Sequence, residues 1–81
     1  MFHALGAYIG RQSTDILYVI LIRYRDNEDA VLFSLQEICR RGDTVPIVIR
    51  KKAWEVWCEL KESNGDYIKN YPELESLSSA I

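Results

Sequence analysis

Residues 16–22 form an unbroken apolar run, bounded by Asp15 on one side and by the polar stretch Asp26, Asn27, Glu28 and Asp29 on the other. No Gly or Pro interrupts it, and Ile16, Tyr18, Val19, Ile20 and Ile22 are β-branched or aromatic. Its length and β-branched content predict a strand over residues 16–24. Alternate positions are apolar on both sides: Leu17, Val19 and Leu21 on one face, Ile16, Tyr18, Ile20 and Ile22 on the other. Such a strand must be covered on both faces. The chain has 81 residues, which is one domain over residues 1–81. A domain of this size buries only about two-thirds of the surface its unfolded chain exposes. What covers the second face of the strand is therefore the central structural question.

The neighbouring segments extend the β reading. Residues 2–9 suit a strand bulged at Gly6, and Gln12 to Asp15 a turn. Residues 31–39 alternate, with Val31, Phe33 and Leu35 on one side and Ser34 and Gln36 on the other, so they pair with the preceding strand as a hairpin. Arg41-Gly42-Asp43 reads as a turn rather than an adhesion motif. Residues 44–50 resume with Val45, Ile47 and Ile49 on a common face, and Pro46 places this strand at an edge or marks its start. From Lys51 the period changes. Ala53, Val56, Trp57 and Leu60 recur at helical spacing, with Trp54 and Cys58 widening the stripe, and Asn64-Gly65 supplies a stop. Pro72 fits the first turn of a short terminal helix carrying Leu74, Leu77 and Ile81. The expected fold is α+β: an antiparallel three- to four-stranded β-meander packed by a helix over about 51–63 and a short helix over about 72–80.

Chemistry is excluded more firmly than function is indicated. His3 is the only histidine and lies at the terminus; Cys39 and Cys58 have no histidine partner and no short metal-ligand spacing. No phosphate loop, nucleotide fingerprint or nucleophile elbow is present, so no catalytic, cofactor or metal residues are assigned and no enzyme is expected. The acidic turn lacks the ligand spacing, Gly and closing Glu of a calcium loop. The two cysteines read as reduced core thiols, with a single bridge as the alternative. The N-terminus lacks the features of a signal peptide, and the apolar run falls short of a membrane span, so a cytoplasmic protein without membrane contact is expected.

The main functional expectation follows from the doubly apolar strand. If helices cover one sheet face, the other presents an apolar patch with nearby aromatics, and such patches mark interfaces. The expected interface comprises Tyr18, Ile20, Ile22, Tyr24, Trp54 and Trp57, with one of the two tryptophans in the core. The partner is another protein or a second copy of this chain, the latter as a homodimer. The reading is a small non-enzymatic interaction module that binds and modulates a partner, and its brevity and lack of motifs suit an accessory protein of a phage or mobile element. The alternative is a small DNA-binding transcriptional regulator with a degenerate helix-turn-helix around residues 33–54. Its first helix would start at Ser34 with Glu37 completing a capping box, Gly42 would mark the turn, and a second helix would follow Pro46. Arg40, Arg41, Arg50, Lys51 and Lys52 would then face phosphates. The net charge of -2 offers no whole-molecule attraction to nucleic acid.

Overall fold

A computed structural model describes residues 4–80, and it overturns the α+β expectation: among these residues there is no strand. The chain forms α1 (Ala4–Gly10), α2 (Thr14–Arg23), α3 (Glu28–Arg41), α4 (Ile47–Ser63) and α5 (Tyr67–Asn70), with a 3-10 turn at Gly42–Thr44 and a 3-10 segment at Pro72–Ala80. Each expected strand is corrected in turn. Residues 4–9 of the first are helical, and residues 2 and 3 lie outside the described residues; residues 16–23 of the second and 31–39 of the third are helical. Residues 44–50 divide between the 3-10 turn, an extended Val45 and the first turn of α4. Among the described residues no sheet face exists to be covered or left open.

Local capping explains the helices at residues 16 and 31. Ser13 is extended and its side chain accepts the Ile16 backbone N–H. Asn27 does the same for Ala30 N–H, at 3.1 Å. Each occupies the polar position before an apolar run, which is where an N-cap satisfies an otherwise orphan donor. The acids Asp15, Glu28 and Asp29 fall in first helical turns and Arg23, Arg40 and Arg41 in last ones, which complements the helix dipoles.

The burial pattern then follows a 3.6 period. In α2, Leu17, Ile20 and Leu21 are buried while Ile16, Val19 and Ile22 are exposed. The run that as a strand would need cover on two faces is a helix with one face inward. In α3, Val31, Leu35 and Ile38 are fully buried at i, i+4 and i+7. Ser34 faces inward as well, and its Oγ donates to the Ala30 carbonyl at 2.8 Å, so it is a mid-helix residue rather than the cap of a helix starting there. α3 ends at Gly42, whose φ of 58° lies where side chains other than glycine are strained. The helix expected over 51–63 exists but begins earlier, at Ile47, directly after Pro46. The terminal element is wound as a 3-10 segment, on which Leu74 and Leu77, three apart, point inward together.

α1 runs alongside α3: a Cβ built on Gly6 would stand 3.2 Å from the Phe33 ring, and one on Gly10 would stand 3.6 Å from Glu37 Oε1. α2 packs against α3 and α4, and the Arg25–Glu59 ion pair ties the turn after α2 to α4. The C-terminal segment lies across α3 and α4. Trp57, fully buried, donates from Nε1 to Glu75 Oε2 at 2.7 Å, and Lys61 Nζ meets the same oxygen at 2.7 Å. No helix among the described residues is long and apolar enough to cross a membrane.

Candidate functional site: an apolar cleft between α1 and α2

Because α1 is short and α2 buries only one side, the two helices leave a cleft of about 390 Å³ between them. Leu5, Tyr8 and Ile9 come from α1, Ile16, Val19 and Ile20 from α2, and Tyr24, Asn27 and Ala30 close its far end. Tyr8 is 55% exposed and Tyr24 57% exposed, with Ile16 and Val19 exposed between them. Ile9, Ile20 and Ala30 are buried and form the floor. The wall is almost wholly hydrocarbon and aromatic. Among its side chains only the two tyrosines and Asn27 are polar, and Asn27 Oδ1 is already occupied as the cap of α3.

Where α1 gives way to α2 the exposed charges are of both signs, Arg11 and Asp15, while the turn after α2 is acidic. The α1–α2 turn carries Arg11, whose N–H bonds the Tyr8 carbonyl at 3.2 Å. At the other end, Asp26, Asn27, Glu28 and Asp29 line a shallow recess that shares Asn27 with the cleft. Glu28 is engaged by the Tyr67 hydroxyl, a contact that pushes the Tyr67 phenol up to about 12. Among the described residues no cluster of His, Cys, Asp and Glu is arranged to hold a metal ion.

The residues expected at an interface are dispersed. Ile22 and Tyr24 are exposed, and Tyr24 helps line the cleft; Ile20 lies in its floor, and Tyr18 is half-buried against the core. Trp57 is enclosed, while Trp54 is half-buried with Lys61 Nζ 4.7 Å from its ring centre. Tyr8, Ile16 and Val19 lie outside the expected interface. Their signal was the helical spacing of Ile16, Val19 and Ile20, which is visible only once Ser13 is read as a cap.

The basic residues are mostly committed within the fold. Arg41 turns inward: its Nε donates to Glu37 at 2.7 Å and its Nη2 to the Gln12 carbonyl at 2.5 Å and the Gly10 carbonyl at 3.3 Å. Arg40 also binds Glu37 but from the surface. Burial would raise the Glu37 carboxyl, yet the hydrogen bonds and charges of Arg40 and Arg41 outweigh it and hold the group below the usual carboxylate value. Arg50 donates to the Val45 carbonyl at 2.9 Å and faces Asp43, and Lys52 faces Glu55. Lys51 is exposed and has no ion pair among the described residues.

A second, smaller recess of about 110 Å³ is lined in part by Cys39, Asp43, Arg50 and Ser76. The Cys39 thiol stands 3.7 Å from both the Glu73 carbonyl and Ser76 Oγ, and burial pushes it up, so it rests as a protonated thiol rather than a nucleophile. Cys39 and Cys58 are both free. No protein-family model, curated protein or solved structure matches this chain.

Proposed function

We propose that this chain is a non-enzymatic protein-interaction module of the cytoplasm that docks a partner through the α1–α2 cleft. The observation that carries this reading is the exposure of Tyr8, Ile16, Val19 and Tyr24 around one continuous apolar recess. Contiguous exposed apolar surface is costly in a soluble domain and marks interaction sites. A small polar metabolite is a poor fit, since specificity for one requires convergent polar groups, and Asn27 is already used by the backbone. A helical or extended protein segment with apolar anchors needs no more than the cleft offers.

The test is selection of displayed amphipathic helical peptides on the wild-type protein, with Val19→Asp as the counter-screen. Enriched peptides that lose at least about tenfold affinity on the variant support docking in the cleft. Failure to enrich any peptide, or enrichment indifferent to the variant, contradicts it.

The nucleic-acid reading draws support from one feature, the short connection through Gly42 and Pro46 between α3 and α4. Its cations do not favour it: Arg40, Arg41, Arg50 and Lys52 are paired within the chain, and Arg41 is largely enclosed. Duplex binding that falls steeply with salt is the result that would revive it.

A further inference from the structure

Resting on the docking role of the cleft, we propose that its occupant is the first turn of α4 from a second copy of this chain, in a head-to-tail contact. Two surface groups account for most of the exposed large apolar side chains. One is the cleft itself. The other is Ile47, 47% exposed, and Val48, 61% exposed, side by side at the start of α4; neither lines the cleft. The first group is concave and the second is a helix end preceded by exposed Pro46.

Charge distinguishes the two groups. Lys51 lies four residues beyond Ile47 and three beyond Val48, so it shares their face of the helix. It is exposed and carries no ion pair among the described residues. The far end of the cleft, at Asn27, adjoins Asp26 and Asp29, both exposed. Arg23, on the α2 flank, does not line the cleft. Seating Ile47 and Val48 against Ile16, Val19 and Tyr24 with Lys51 toward Asp26 and Asp29 matches apolar with apolar and plus with minus.

The two surfaces differ, so the contact is heterologous and not two-fold. Each associated pair keeps one unfilled cleft and one uncovered α4 turn, and assembly continues beyond a dimer unless a ring closes.

Sedimentation equilibrium of the wild type, Val19→Asp, Val48→Asp and their equimolar mixture tests this, with far-UV circular dichroism confirming that each variant is folded. Wild-type mass should rise with concentration past that of a dimer. Each variant alone should associate at least about tenfold more weakly. The mixture should form a one-to-one pair and stop, because Val48→Asp retains the cleft and Val19→Asp retains the α4 turn. Asp26→Lys and Lys51→Glu form a second pair that leaves the apolar surfaces intact: weakened singly, restored when mixed. A wild type that stays monomeric, or variants that remain monomeric when mixed, overturns the head-to-tail contact. Where sedimentation overturns that contact, peptide binding separates the two proposals: a Val48→Asp protein that still binds the selected peptide keeps the docking role without the second-copy occupant, and one that does not removes the docking role as well.

Discussion

Replacing Arg41 by Met should destabilise the fold, whereas the same change at its neighbour Arg40 should not. The Arg41 side chain is 16% exposed and holds three acceptors: the Glu37 carboxylate at 2.7 Å and the carbonyls of Gln12 and Gly10. It therefore joins the α1–α2 turn to the end of α3. Arg40 shares the same carboxylate but is 69% exposed. A hydrogen bond to a charged group contributes about 1.5–3 kcal/mol net, and a methionine leaves Glu37, 10% exposed, with one arginine in place of two. The two carbonyls sit at a partly exposed turn and recover water, which limits the total to about 2–4 kcal/mol. Domains of this size are stable by roughly 4–12 kcal/mol, so the loss is a large share, equivalent to a fall in Tm of about 10–25 °C. The Arg40 guanidinium lies in solvent, which screens its pairing, so its loss should leave stability close to wild type. Urea unfolding followed by fluorescence of the buried Trp57 measures both variants on one scale. An Arg41→Met protein within about 0.5 kcal/mol of wild type, or two variants with equal losses, would refute the clamp and return Arg41 to the surface as a ligand-binding cation.

Further expectations concern titration and backbone strain. The Glu37 carboxyl is depressed in the folded chain, so its contribution is fully present above the ordinary carboxylate value and is lost as pH falls through the folded one. Glu37→Gln should thus flatten the acid limb of a stability–pH curve, in part only, because Glu59 beside Arg25 and Glu75 beside Lys61 and Trp57 are depressed too. Tyr67, pushed up to about 12 by its bond to Glu28, should ionise late in an absorbance titration, and Glu28→Gln should bring it down. Gly42→Ala, at a φ of 58°, should lower stability by about 1–2 kcal/mol in thermal unfolding, whereas Gly65→Ala, with open space around it, should fall within about 0.5 kcal/mol of wild type.

Parts of this architecture are legible in the residues. The spacing of Ala53, Val56, Trp57 and Leu60 shows α4, Asn64 its end, Gly42 a turn and Pro46 the entry to the next element. The error lies in period. An apolar run as continuous as residues 16–22 fits a doubly covered strand and a helix equally well, and β-branched content tips the choice wrongly when caps are ignored. Ser13 and Asn27, read as turn residues, are the caps that decide it. Residues 31–38 satisfy a period of two through Phe33 but satisfy 3.6 through Val31, Ser34, Leu35 and Ile38, and burial follows the latter. The cleft was hidden by the same mistake, since a strand reading places Ile16 and Val19 on opposite faces. The inward turn of Arg41 has no local signature: its carbonyl acceptors lie about thirty residues away in the chain.

The proposed docking surface is the α1–α2 cleft. Its most direct test is an amide chemical-shift map of isotopically labelled protein titrated with a peptide selected on the wild type. Shifts should concentrate at Leu5, Tyr8, Ile16, Val19, Tyr24 and Asn27 and vanish in Val19→Asp. Shifts gathered instead around Arg40 and Arg50, or along the Pro72–Ala80 segment, would contradict it.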